Sequence, residues 1–198
     1  MNFTQSDIEQ YEKLIKERLS EYRYTHSMNV ATAAVHLAKK YGADETKARV
    51  AGVLHDVTKE DDKAAQRELI EKAGHKMTDI EILNPSVYHQ MSGEAFCKLN
   101  LHIDDEDILG AIRYHTTGTA GMTLLQKVIY TADFISAERS YPDVDVMRRL
   151  AEENLDEAML YSLKHTINDL VKRGKIIHPD TLNCYNDILK NFTKKDFI

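Results

Sequence analysis

Four histidines and two aspartates, in the order His26, His55-Asp56, His89, His115 and Asp133, are the residues of this chain whose types and spacing could do chemistry. The doublet His55-Asp56 ends an almost unbroken apolar run of Ala48, Val50, Ala51, Gly52, Val53 and Leu54. Burying a carboxylate among such residues costs several kcal/mol unless something cationic neutralises it. A divalent metal ion suits a mixed His and Asp set, bound through neutral imidazole nitrogen and carboxylate oxygen. His26, His55, Asp56 and Asp133 would supply two imidazoles and two carboxylates to one ion, with positions left for water and a substrate oxygen. His89 and His115 either hold a second ion, bridged to the first through Asp56, or hydrogen-bond a bound phosphate; both readings stand at this point. Without thiolates, iron, manganese, cobalt and zinc all suit the donors, with iron or manganese the expected ion, whereas calcium and magnesium fit poorly with so many imidazoles. Such a site activates water for attack on phosphorus. Lys59, one helical turn beyond His55, is the cation best placed to meet the phosphate, and Arg23 and Arg139 flank His26 and Asp133.

The elements that must position these groups read as helices. Ser6-Asp7-Ile8-Glu9 has the pattern of a capping box ahead of Ile8, Tyr11, Ile15 and Leu19 at helical spacing. That first helix is amphipathic enough to pack on a second copy, so a homodimer is an expectation. Thr25 is the expected cap of a second helix with His26 in its first turn and Gly42 just past its end. Asp44 begins the buried helix that delivers His55 and Asp56, and Val57-Thr58-Lys59-Glu60 turns the chain into a charged helix from about Asp61 to Lys72. A short helix is expected over Thr78 to Leu83, then a stop and a new cap at Asn84-Pro85-Ser86, with His89 in the first turn that follows. Asp104 to Asp107 place negative charge at the start of a helix ending near His115. Thr123 and Gln126 form a capping box for the helix that carries Asp133. Pro142 opens a further helix, another spans Leu155 to Lys172, and Thr181 begins the last.

The bulk numbers agree with helices. The chain has 198 residues, 42% of them hydrophobic, with 8 Gly, 3 Pro and no Trp, so long stretches lack the punctuation that frequent turns require. The expectation is a single all-α domain over 1–198, with a core over about 23–140 and C-terminal helices 141–198 packed on it. A formal charge of −6 argues against a nucleic-acid or membrane-surface binder working by bulk attraction. Cys97 and Cys184 are far apart and not in a CxxC spacing, so buried, reduced thiols are expected. No apolar run reaches the roughly 18 residues of a membrane span, and the charged N-terminus does not resemble a signal peptide, so the expected location is the cytoplasm.

The ordered set His26, His55-Asp56 and Asp133 resembles the H…HD…D signature of the HD-domain superfamily of metal-dependent phosphohydrolases. Ala51 to Asp56 with Lys59-Glu60, then His89, the stretch Ala111 to Gly118, and Ala132-Asp133 with Arg139 are similar to its YqeK branch; the resemblance covers about residues 23–181. It implies an all-α bundle with a central metal, and symmetrical hydrolysis of diadenosine tetraphosphate to two ADP, with iron as the metal. It implies metal binding by His26, His55, Asp56 and Asp133, with His89 and His115 at the phosphate or a second ion. Asp56 and Lys59 carry catalysis in this reading, and Arg23, Thr58, Lys59, His89, His115, Arg139, Ile177 and His178 contact substrate. One departure stands out: Ser136-Ala137 follows Ile135 where the branch has a Glu-Pro pair, which bears on Arg139 more than on the ligands. The rival readings are another HD phosphohydrolase, a nucleoside monophosphate phosphatase or phosphodiesterase, and a regulatory domain that binds nucleotide without turnover. His36, His75, His102 and His165 belong to no ordered set and are read as surface residues.

Overall fold

A computed structural model describes residues 3–193 of the chain. These form eleven α-helices: α1 Gln5–Arg18, α2 Glu21–Tyr41, α3 Glu45–Leu54, α4 Lys63–Lys72, α5 Asp79–Ile82, α6 Tyr88–Asn100, α7 Glu106–Arg113, α8 Leu124–Ile135, α9 Val144–Glu153, α10 Leu155–Lys172 and α11 Pro179–Thr193, with a 3-10 turn at Pro85–Val87 before α6. No strand occurs among the described residues.

Most starts are set by side-chain caps. Asp44, Asp62, Thr78, Asp105, Thr123 and Asn154 each accept a hydrogen bond from an amide of the first turn. Gly42 ends α2 at φ 82°, a left-handed position where a side chain would be strained.

Small residues on α2 and α3 bring the two helices together at the centre. A Cβ on Gly52 would stand 2.6 Å from the Ala31 Cα, so these backbones meet where no other residue fits. Val30, Ala31, Ala34, Leu37, Val50, Ala51, Val53 and Leu54 are fully buried there, together with Val128, Ile129 and Ala132 of α8. Each branched side chain so buried contributes roughly 1.5–3 kcal/mol by leaving water. Met147, Ala151, Leu155 and Ala158 bring α9 and α10 into the same cluster. A second cluster of Met122, Tyr130, Met159, Leu163, Cys184 and Ile188 seats α10 and α11 on the other side of α8. Cys97 and Cys184 are buried and unpaired, as their spacing suggests.

Several expected boundaries move. Thr4 and Asp7, rather than Ser6 and Glu9, form the capping box of α1, and Ile8, Ile15 and Leu19 face this chain's own core, the face the sequence offers to a second copy. Ser20, not Thr25, caps α2, which puts His26 in the second turn. Ser20 gains a second reason to sit there, because its amide and hydroxyl both donate to Glu60, at 2.6 and 2.7 Å. The Asn84-Pro85-Ser86 segment enters α6 through the 3-10 turn with no side-chain cap. The last two boundaries also shift, since α9 begins at Val144 rather than Pro142 and α11 at Pro179 rather than Thr181.

Candidate metal centre

The turn after α3 carries the doublet, and several elements hold it. His55 closes the helix, and Lys59 N donates to Asp56 O across a tight turn. Gln66, fully buried on α4, donates to the Thr58 carbonyl at 2.6 Å, and Arg18 of α1 donates to the Val57 carbonyl at 3.3 Å. The Thr58 hydroxyl lies 2.7 Å from the Ser92 hydroxyl and 3.2 Å from the His89 carbonyl. Thr58 is therefore fully buried and occupied with α6; its side chain ties the turn to the helix of His89 instead of facing substrate as expected.

The four histidines point one nitrogen outward to a fixed acceptor and the other inward to a common point. His55 Nδ1 donates to the Gly52 carbonyl (2.7 Å), His89 Nδ1 to Ser86 (2.9 Å) and His115 Nδ1 to Ile112 (2.8 Å), in each case three residues back. A carbonyl only accepts, so the proton sits on Nδ1 and the lone pair on Nε2. His26 Nδ1 meets a carboxylate instead, Glu138 Oε1 at 2.5 Å. Inside, His26 Nε2 lies 3.3 Å from His55 Nε2, and His89 Nε2 lies 3.2 Å from His115 Nε2.

Asp56 stands between the two pairs. Its Oδ2 is 3.9 and 3.7 Å from Nε2 of His26 and His55, and its Oδ1 is 3.5 Å from Nε2 of both His89 and His115. Asp133 Oδ1 lies 3.1 Å from His26 Nε2. Asp56 is only 2% exposed, yet its Oδ1 has no hydrogen-bond partner. A buried carboxylate oxygen without a hydrogen bond, with the Lys59 ammonium 3.5 Å away, and facing imidazole nitrogens are costly, and a cation among them would offset that cost. His26, His55 and Asp56, with Asp133 beside them, fit a divalent ion by donor type and by mutual reach; Asp56, His89 and His115 form a second such group.

The protonation states of His55, His89, Asp56 and Asp133 suit this. Burial pushes the His55 imidazole down to about 4 and, with the Lys59 charge, holds His89 well below its ordinary value, so both are neutral donors near pH 7. Burial favours the neutral acid at Asp56 and Asp133. The surrounding histidines and Lys59 outweigh it at Asp56, as the His26 hydrogen bond and Arg139 do at Asp133, and both carboxylates stay ionised. Burial also opposes charge on His26, but hydrogen bonds and charge from Asp133 and Glu138 prevail and raise its pKa.

A rim of cations lies over the ligands. Lys59 Nζ is 2.9 Å from His89 Nε2 and 3.5 Å from Asp56 Oδ1, and Arg23 Nη1 is 3.4 Å from Asp56 Oδ2. Arg139 donates through Nη2 to the Asp133 carboxylate and through Nε to its carbonyl at 2.8 Å, so Ser136-Ala137 does not displace it from the site. His178 Nδ1 accepts from Asp180 N at the start of α11, its Nε2 is 3.6 Å from Glu81, and among the described residues no hydrogen bond or ion pair joins Ile177 or His178 to the cluster. His36 and His75 pair with Glu152 and Glu94 at the surface, away from the centre.

Residues 23–138, the segment that carries all six clustered His and Asp residues, match the family model described as HD domain. The chain belongs to the HD domain family. Its HD pair is His55-Asp56, and the family's segment closes on Glu138, the carboxylate beneath His26. The chain is 41% identical over 174 residues to the symmetrical bis(5'-nucleosyl)-tetraphosphatase of Bacillus subtilis (strain 168), spanning 87% of this chain and 92% of that protein. It is 42% identical over 178 residues to the protein of the same name from Halalkalibacterium halodurans, spanning 89% and 94% of the two. The crystal structure of a predicted HD superfamily hydrolase involved in NAD metabolism, from Clostridium acetobutylicum, superposes on this HD fold with a TM-score of 0.90 at 36% identity, over 92% of this chain and 97% of that one.

The structure brings together the six His and Asp residues that the sequence singles out, and three further residues that it does not single out place them. Glu138 orients His26. Gln66 fixes the turn after His55. Gln90, fully buried, accepts from the amides of Thr116 and Thr117 at 3.2 Å each and so holds the segment after His115. A carboxylate five residues past Asp133 was the one available signal.

Proposed function

We propose that this protein hydrolyses diadenosine tetraphosphate symmetrically, water adding across the central phosphoanhydride to give two ADP. The observation that carries the reading is the convergence of four Nε2 atoms and two ionised carboxylates, with every Nδ1 already engaged outward. Two relatives matched over most of their length carry the name of that activity.

His26, His55, Asp56 and Asp133 would hold one divalent ion, and iron is the reading for its identity, with manganese, cobalt and zinc also suited to nitrogen and oxygen donors without thiolate. When bound, the ion supplies an activated water and neutralises charge on a phosphoryl oxygen. One ion is preferred to two because the Lys59 ammonium already stands beside His89 and Asp56 Oδ1, where a second cation would sit. His89, His115 and Lys59 then address the phosphates, and Arg23 and Arg139 offset the charge of a tetraphosphate approaching Asp56 and Asp133. The leaving β-phosphate of ADP needs charge neutralisation more than a proton, which the Lys59 ammonium supplies.

A cavity of about 560 Å³ between the Pro85 turn and the α10–α11 loop, lined by Ser86, Arg173, Lys175 and Ile176 among others, is large enough for a nucleoside. It adjoins Ser86, whose carbonyl holds His89, and Ile176, the neighbour of Ile177, so the substrate role of Ile177 and His178 would be to shape this wall. The two unpaired cysteines support a reducing, cytoplasmic setting.

The test is a product assay with diadenosine tetraphosphate on protein whose metal content is measured in the same preparation. ADP as the sole nucleotide product, at a rate removed by chelator and restored by Fe²⁺, supports the reading. ATP plus AMP, or turnover of nucleoside monophosphates in preference, overturns it in favour of another HD phosphohydrolase; tight ADP binding without hydrolysis overturns it in favour of a regulatory domain.

A further inference from the structure

His55 and His115 follow helix ends, where the last carbonyls have no amide four residues on and are free to accept from Nδ1. His26 has no such choice. It lies inside α2, where the helix itself takes the nearby carbonyls, so a partner for its Nδ1 must come from another element. That partner is Glu138, from the turn after α8, 112 residues away in sequence. The carboxylate is itself fixed on both oxygens: Ser136 Oγ donates to Oε1 at 2.6 Å and Asn29 Nδ2 donates to Oε2 at 2.7 Å. The side chain is only 15% exposed. The same short stretch therefore supplies one ligand directly, Asp133, and the orientation of another.

We propose that Glu138 is a positioning residue for His26, holding the ring with its proton on Nδ1 so that Nε2 is presented to Asp56 and Asp133 as a strong metal donor. A charged acceptor does this better than the carbonyls that serve the other three histidines, because it both fixes the tautomer and increases electron density at Nε2. Glu138 would then set the affinity of the centre without touching metal or substrate.

The inference rests on the reading that the cluster holds a metal, and the test separates the two. Co²⁺ binding is measured on chelator-treated protein by competition with a chromophoric chelator, and the visible d–d bands are recorded, with no substrate present. Glu138→Gln keeps a hydrogen-bond acceptor but removes the charge; it is expected to melt like the parent when metal-free, to bind Co²⁺ about 10-fold more weakly, and to shift the bands. Glu138→Ala removes both, and its affinity is expected to fall toward about 100-fold below the parent. Glu138→Asp is expected to recover part of the loss. Unchanged affinity and bands in both Gln and Ala variants overturn the proposal and leave Glu138 a pin for the α8–α9 turn; if Ala does not fold, the Gln variant alone decides. A parent protein that binds no Co²⁺ overturns the metal reading and this proposal with it.

Discussion

The ammonium of Lys59 stands 2.9 Å from Nε2 of His89, a ring whose other nitrogen is bound to the Ser86 carbonyl. His89 and His115 face each other through Nε2 at 3.2 Å, and the lysine stands beside the neutral His89 ring while balancing Asp56. Its reach from the turn after α3 leaves it 27% exposed on the open side of the centre, where an incoming phosphate would draw it away from His89. Lys59→Ala should keep the metal and lower kcat by about 10²–10³, the cost of removing one well-placed donor to a developing charge. Elemental analysis and steady-state kinetics on one preparation check this. A variant with parental kcat would remove Lys59 from the mechanism.

The division of the histidines into two pairs around Asp56 gives a second expectation. If one ion sits with His26, His55, Asp56 and Asp133, then alanine at any of these four abolishes metal retention and turnover together. His89→Ala and His115→Ala should instead retain about one ion per chain and lose turnover. Metal-to-protein ratios across the six variants decide the matter: a parent with two ions per chain that falls to one in His89→Ala would show that the Asp56, His89 and His115 group is a second metal site.

Loss of the ion should also loosen the fold. Asp56 is buried and its Oδ1 has no hydrogen bond, a cost that a bound cation would relieve beyond what Lys59 supplies. At free metal 100-fold above the dissociation constant, the stabilisation is about 2.7 kcal/mol, or a melting shift of about 5–10 °C for a chain of this size. Scanning calorimetry with and without chelator measures it, and identical curves would argue that no ion is held.

Much of this was legible in the chain. The clustered His and Asp residues stood out because such groups at the end of an apolar run are expensive without a cation, and the caps at Asp44 and Thr123 and the stop at Gly42 follow from local chemistry alone. Three features were illegible for one physical reason, which is that their partners are remote in sequence. Ser20 outcompetes Thr25 as a cap because Glu60 receives both its amide and its hydroxyl. Thr58 points to α6 because Ser92 and the His89 carbonyl are there. Glu138, between Ala137 and Arg139, has the look of a solvated charge until His26 and Asn29 are brought to it.

Gly52 offers a test of the packing that sets the centre. Its missing side chain lets α3 lie against Ala31, and its carbonyl holds His55 Nδ1. Gly52→Ala would force the helices apart, at about 1–3 kcal/mol for overpacking, and tilt the His55 ring with the backbone. Lower melting temperature and weaker metal binding should appear together. Parental values for both would mean that the two helices can separate without disturbing the ligand.

Acid stability away from the centre should depend on Asp105. Asp105 caps α7 by accepting from Asp107 N and Ile108 N, and it pairs with Lys47 of α3 at 2.8 Å. Burial works against its charge, but the Lys47 hydrogen bond and the helix amides outweigh it and hold the carboxyl below its ordinary value of 3.8. A carboxylate whose pKa is lower folded than unfolded stabilises the fold fully above the unfolded value, and the contribution disappears as pH falls through the folded one. Asp105→Asn keeps a competent cap and deletes the charge. Urea unfolding of chelator-treated protein should therefore show the parent more stable than the variant at pH 7, with the gap closing below pH 3.8. Equal stability of parent and variant at pH 7 would mean that the Lys47 pair adds nothing and that Asp105 acts as a cap alone.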